Sequence, residues 1–266
     1  MNVVTVRASS MHDFFDCAAR AEAKQLRGLR TPMAGNAVLG RAIHRSTALF
    51  DESTISGKGL TIEETAAAAV DTFANPGDEV SYDDEDDVRQ LENTAVALHK
   101  RYCLEIAPKQ NYAAVEVRCD SLLIEDLGIE LTGTADRVYR SENGYGVADV
   151  KTGKTAVRAD GHVETKGHAY QVGVYELLAA SASGLPITAP GKIIGLQTGK
   201  TERGQRAAVS EPIEGARDLL IGDDDSPGVL QMLSRMLKTG SFPGNPRSMM
   251  CHSKYCPLFQ NCKYRK

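Results

Sequence analysis

The stretch GTADRVYRSENGYGVADVKTGKT, residues 133 to 155, holds three residues of types that do chemistry together: Asp136, Asp149 and Lys151. Side chains alternate faces along a strand. In VADVK, therefore, Val147, Asp149 and Lys151 share one face, and Ala148 and Val150 share the other. Between the acids, SENG carries Asn143-Gly144, a strong hairpin signal. A turn there returns Asp136 to the side of Asp149, within a residue or two of register. Two adjacent carboxylates repel and raise each other's pKa unless a cation lies between them. Oxygen ligands at this spacing suit Mg²⁺ or Mn²⁺. A neighbouring lysine can orient or deprotonate an attacking water, or offset charge building on a phosphate. A surface hairpin with a cross-strand pair would show the same spacing, so these residues alone do not decide the matter.

Three further features point to the same place. Glu116 in AVEVR lies on the opposite strand face from Val115 and Val117, where a neighbouring strand can aim it at the acidic pair. His44 in GRAIH sits on a helix. Gln171 and Tyr175 in QVGVY are four apart on another helix and share a face. Taken alone, His44 reads more readily as a structural histidine and the Gln171–Tyr175 pair as packing.

The elements that must carry these residues can be followed along the chain. Ser9 or Ser10 caps a helix through FFDCAARAEAKQL, with Arg20, Lys24 and Arg27 on one face. GNAVLGRAIHRSTALF reads as a second helix. Thr61 with Glu64 fits a capping box for TIEETAAAAVDTF. The run DEVSYDDEDD, with seven acids in ten residues, reads as a solvated loop leading into a helix from about Glu85 to Ile106. After Pro108, residues 112 to 151 read as three strands. A helix from about Thr165 to Ser183 follows, closed by Gly184. KIIGLQT and QRAAVSEPI read as two more strands, and a last helix spans roughly Gly215 to Lys238. This order predicts an α/β fold with a central sheet flanked by helices, in one domain spanning 1–266. It divides into a helical part 9–107, a core 112–211 and a helix with a cysteine-rich tail 214–266.

Bulk properties agree with a soluble chain. The 266 residues are 42% apolar and 25% charged, with net charge −4. No apolar run reaches the ~18 residues of a membrane span, and the N-terminus carries no signal-peptide pattern, so a cytoplasmic location and no membrane partner are expected. GKT occurs at 153–155 and 199–201, but the earlier glycine a P-loop needs is replaced by Ala148 and Ile194. An ATPase is excluded on that ground.

Clustered cysteines in a cytosolic chain of this size read first as metal ligands. Cys251, Cys256 and Cys262 form C-x4-C-x5-C, one short of a four-thiolate set that Cys17 could complete. Thiolates suit both an iron-sulfur cluster and Zn²⁺, and His252 could replace a cysteine in a zinc site. Cys103 and Cys119 read as core residues.

Taken in order, GRAIH, Glu116, GTAD, DVK and QVGVY resemble the RecB-type branch of the PD-(D/E)XK nucleases, from about Ser9 to the C-terminus. That resemblance implies a restriction-endonuclease-like mixed sheet flanked by helices. It implies that His44, Asp136 and Asp149 hold Mg²⁺ or Mn²⁺, with Glu116 a supporting acid. Lys151 would be the catalytic lysine, and Gln171 and Tyr175 would position the DNA strand. Asp149 stands where some members have Glu. The implied activity is metal-dependent phosphodiester hydrolysis, expected as an exonuclease on single strands or DNA ends in recombination, repair, or phage or CRISPR processing. DNA is the implied partner, together with a possible recombination or helicase protein. Candidate phosphate contacts are Lys154, Arg158 and Lys166, then Lys200, Arg203 and Arg206. Iron-sulfur members of the family carry one cysteine before the nuclease core and three after it. By that resemblance Cys17, Cys251, Cys256 and Cys262 hold a structural [4Fe-4S] cluster that joins the N-terminal helix to the tail. Those members commonly show C-x2-C-x5-C, and here the first gap is four. The competing reading is an iron-sulfur or zinc module that grips DNA without cutting; the intact D…D-x-K set argues against it.

Overall fold

A computed structural model describes residues 3–83, 86–223 and 225–265. Its N-terminal part contains β1 (Val4–Arg7), α1 (Met11–Asp16), α2 (Ala18–Gln25), β2 (Met33–Ala34), α3 (Gly35–Ile55), α4 (Ile62–Ala74), β3 (Val80–Ser81) and α5 (Val88–Arg101). Then come β4 (Tyr112–Ile124), β5 (Ile129–Ser141), β6 (Gly144–Gly153), α6 (Ala169–Ser183), β7 (Lys192–Gln197) and β8 (Arg206–Val209). Helices α7 (Ala216–Ile221) and α8 (Val229–Thr239) precede the tail. No helix among the described residues is long and apolar enough to cross a membrane.

The main sheet is mixed and runs β1-β5-β6-β7-β8, with β4 also on β5. The three strands expected over 112–151 form an antiparallel meander, with Tyr139 opposite Gly146 and Ser141 opposite Gly144 at the hairpin. Helix α6 then crosses over so that β7 runs parallel to β6. Alternation divides the core as the pattern VADVK requires. Val147 packs with α6, α7, α8 and α1 on one face. Ala148 and Val150 pack with α3, α4 and α5 on the other.

Strand β5 organises the sheet because three strands share its two edges. β4 occupies one edge from Ile129 to Tyr139. On the other, β1 pairs in parallel with Ile129 to Thr132, and β6 pairs antiparallel with Arg137 to Ser141. Residues 133–136 face a seam where neither neighbour pairs with them.

Several expectations need correction. The first helix is broken. Cys17 has extended backbone (φ −150°, ψ 91°) and separates α1 from α2. Arg20 turns inward onto Asp13 and Asp16 at 2.9 and 3.2 Å, and α2 ends at Gln25 before Arg27, so the three cations do not form one helix face. Val4–Arg7 is a strand that the sequence reading missed. The last helix is two helices, because Gly222 takes a left-handed φ of 73° and lies so close to Gly228 that a Cβ would stand 2.2 Å from its nitrogen. Asp223 Oδ1 then accepts from the backbone of Asp225 and Ser226 at 3.0 and 2.8 Å.

In the acidic run, Asp84 and Glu85 lie outside the described residues. Asp78 pairs with Arg41 at 2.8 Å, Asp87 caps α5 by accepting from Gln90 N at 3.1 Å, and Asp83 pairs with Lys254. The capping box at Thr61 and Glu64 forms as expected.

Candidate active site

The seam in β5 is where the chemistry-bearing residues gather. The register of Arg137 opposite Ala148 puts Asp136 and Asp149 on the next rung. There β6 leaves β5 for β7, and the backbone N–H of Val150 donates to Asp136 Oδ2 at 2.7 Å. Asp136 thus replaces a missing backbone partner and is fixed by doing so. Helix α3 brings His44, whose Nδ1 lies 3.5 Å from the same oxygen. Gly40, one turn earlier, lets the helix come this close: a Cβ there would meet Thr152 Oγ1 of β6 at 2.9 Å.

Lys151 Nζ lies 2.6 Å from Asp149 Oδ2 and donates to Gln171 Oε1 at 2.9 Å. Gln171 in turn donates to Tyr175 OH at 2.9 Å. The two helix residues expected to share a face therefore form one relay with the lysine. Asp149 is 2% exposed, and the Lys151 ammonium is the cation that meets its buried Oδ2. Two carboxylates and an imidazole meeting beside this ammonium are a donor set that suits a hard divalent cation.

The charges agree with that fit. Burial pushes the Asp149 carboxyl up to about 6; Lys151 pulls it down and the Asp136 carboxylate pushes it further up. Asp136 goes the other way. Burial would raise it, but His44, Arg137 and the Val150 N–H together hold it below the usual carboxylate range. Burial lowers His44, and the Asp136 carboxylate more than offsets this, so its pKa is raised. One site thus contains two carboxylates with opposed proton affinities.

Glu116 stands beside this group. Its Oε1 is 3.6 Å from Arg137 Nη1, and it has a φ of 49°, which non-glycine residues seldom adopt. His44 and Glu116, with Arg41 and Arg45, line an open groove of about 490 Å³. A second groove of about 520 Å³ begins beyond the end of β6 and is lined by Lys154, Arg158 and Arg206. Arg158 there is already paired with Glu164 at 2.6 Å. Lys200 borders another groove beside Lys154. Lys166 donates its backbone N–H to Glu164, and Arg203 sits on a short turn at Glu202–Gly204. Neither lines the basic groove. Among the described residues, no three carboxylate, imidazole or thiol groups converge at coordination distance.

The second cluster forms at the chain ends. Cys17, Cys251, Cys256 and Cys262 all line one cavity, and all six cysteines are free. The break at Cys17 faces the tail. Asn245 N–H points at Cys17 Sγ at 3.3 Å, Asn245 Nδ2 donates to Asp16 O at 3.0 Å, and Ser248 Oγ donates to Asp16 Oδ2 at 2.5 Å. Four thiols around one cavity are a donor set suited to an iron-sulfur cluster. His252 lines a neighbouring groove with Lys254 and Asp83, outside the thiol cavity. Cys103 and Cys119 are buried in the core.

The sequence profile of the PD-(D/E)XK nuclease superfamily matches residues 6–263. The chain belongs to that superfamily. A search of curated proteins gives no match. Among solved structures, one titled "Crystal structure of SSO0001" is similar at 12% identity and a TM-score of 0.42, over 100% of this chain and 89% of that one.

For a PD-(D/E)XK chain, the seam explains why the acids stand where they do: the strand that carries Asp149 and Lys151 must part from the strand that carries Asp136. The sequence reading missed Asp51, Thr47, Tyr102 and Arg137, which form a buried polar network behind the site. Arg137 and Asp51 pair at 2.6 Å across 86 positions, and no local spacing reveals such a pair.

Proposed function

We propose that this chain is a Mg²⁺- or Mn²⁺-dependent deoxyribonuclease, an exonuclease on single strands or DNA ends in recombination, repair, or phage or CRISPR processing. The observation that carries the reading is the meeting of Asp136, Asp149, Lys151 and His44 at the seam of β5. His44, Asp136 and Asp149 would hold the metal. Bound there, a divalent cation supplies Lewis-acid activation of water and neutralises charge on the phosphate.

The chain's own groups do the rest. Lys151 is held between Asp149 and Gln171, so its ammonium stays fixed where it can orient the attacking water and meet the negative phosphate. Tyr175 holds Gln171 from behind and fixes the lysine's second partner. Gln171 and Tyr175 position the DNA strand. Glu116, at the mouth of the groove, acts as the supporting acid. Lys154 and Arg206 take the phosphate backbone beyond the reacting bond. At the other cluster, Cys17, Cys251, Cys256 and Cys262 hold a [4Fe-4S] cluster whose role is structural. DNA is the partner, with a recombination or helicase protein as its companion.

The test uses end-labelled single- and double-stranded DNA with Mg²⁺, with Mn²⁺ and with chelator. Metal-dependent degradation that disappears in Lys151→Ala supports the reading, and the product ladder gives the polarity. Folded protein that leaves all substrates intact with either metal would overturn it.

A further inference from the structure

Arg137 follows Asp136 directly and is fully buried. Up to Ala135 the odd residues of β5 face α6: Ile129, Leu131 and Ala135 all pack in that core. Strict alternation would send Arg137 the same way. It turns instead to the α3 side, where its Nε meets Asp51 Oδ2 at 2.6 Å. The alternation therefore reverses at Asp136, opposite the strained Glu116.

The guanidinium makes three further contacts. Nη1 donates to the backbone carbonyl of Asp136 at 2.8 Å and lies 3.6 Å from Glu116 Oε1, and Nη2 donates to Thr47 Oγ1 at 3.3 Å. Asp51 Oδ2 also accepts from Tyr102 OH at 2.6 Å. His44, Thr47 and Asp51 are spaced three and four apart on α3, one face of one helix. A single planar group thus bonds two residues of the helix that carries His44 and the backbone of Asp136.

Buried ion pairs add little net stability, because desolvation offsets their attraction. What arginine adds is a rigid fork of donors with fixed directions. We propose that the Asp51–Arg137 pair is the positioning device of the metal site: it locks α3 to β5 in the register that sets His44 against Asp136, and it orients Glu116. This rests on the reading of His44, Asp136 and Asp149 as metal ligands. Neither Asp51 nor Arg137 touches the reacting atoms; both act through the ligands.

The decisive variant replaces the pair with apolar residues of similar size, Asp51→Leu with Arg137→Met. A purely structural pair predicts a stable protein with unchanged metal binding. A positioning pair predicts a stable protein that binds Mn²⁺ about tenfold or more weakly, as losses behind metal ligands do. Mn²⁺ affinity is read by calorimetry on the full chain, beside thermal melting and Asp149→Asn. Asp51→Asn serves as the second variant, since it keeps the shape and removes only the charge, and it is measured at a temperature where it is folded. The proposal is supported if Asp51→Asn or the folded double variant loses Mn²⁺ affinity relative to wild type. Wild-type affinity in both variants, or in the only one that folds, overturns it. If wild type and Asp149→Asn bind Mn²⁺ equally, the metal-site reading falls, and this inference with it.

Discussion

Asp149→Asn tests the electrostatics of the seam through stability alone. Folding raises the Asp149 pKa from an ordinary 3.8 to about 6. At 1.36 kcal/mol per unit, ionised Asp149 costs the folded state about 3 kcal/mol at pH 7.5. The side chain is 2% exposed, so solvent does not screen this away. An asparagine removes the charge but brings an amide that needs its own partners, which reduces the gain to about 2 kcal/mol. The sign follows from linkage. Because the folded pKa is the higher one, the native state binds the proton more tightly, and stability is lost as pH rises from 3.8 through about 6. The advantage of Asp149→Asn should therefore be absent below about pH 4, grow up to about pH 6, and stay level above it. In chelator at pH 7.5 the variant should melt roughly 4–8 °C above wild type. Saturating Mn²⁺ reverses the order: at a hundred times its Kd it stabilises wild type by about 2.7 kcal/mol and leaves the variant where it was. Melting curves at pH 4, 5 and 7.5, with chelator and with Mn²⁺, read all of this. A variant no more stable than wild type in chelator at pH 7.5, or one whose advantage does not change with pH, would refute the reasoning.

Gly40→Ala should destabilise by about 1–3 kcal/mol through overpacking against Thr152, and adding Thr152→Ala should restore much of the loss in the same melting assay. Gln171→Ala removes one of the two partners of Lys151, so kcat on labelled DNA should fall on the order of 10- to 100-fold with the melting temperature nearly unchanged. Cys256→Ser in protein purified without oxygen should abolish visible iron-sulfur absorption and open the tail beyond Gly240 to limited proteolysis; unchanged absorption would remove Cys256 from the ligand set.

Where the sequence was legible, the physical cause was local. Alternation over 112–151 revealed the meander because successive residues pack into opposite cores, Val147 into one and Ala148 and Val150 into the other, and Asn143-Gly144 fixed the register that sets Asp136 beside Asp149. Gln171 and Tyr175 were readable as one helix face for the same reason. β1 was not readable: four residues in parallel pairing leave no turn signal beside them. The break at Cys17 was hidden because helical periodicity continues across it, and what opens the backbone there is the distant tail. The break between α7 and α8 had its marks in Gly222, Pro227 and Gly228, but the helical pattern on both sides outweighed them. Asp51 reads as one more polar residue on a helix, since its burial depends on Arg137, and the direction of Arg137 depends on a reversal of alternation that sequence does not display.

The shared edge of β5 also governs when the site can exist. β1 meets β5 across 125 positions, as in the Thr5–Glu130 contact, and α3 reaches β6 from a comparable distance along the chain. Pairings this remote form slowly, because the intervening chain must be closed into a loop before any contact repays it. His44 and Asp136 therefore share no local segment in which they could meet early. A partly folded chain holds isolated carboxylates and an imidazole, not the assembled site. Divalent metal should then speed no step before the sheet closes, and should act afterwards by slowing the escape from the finished fold.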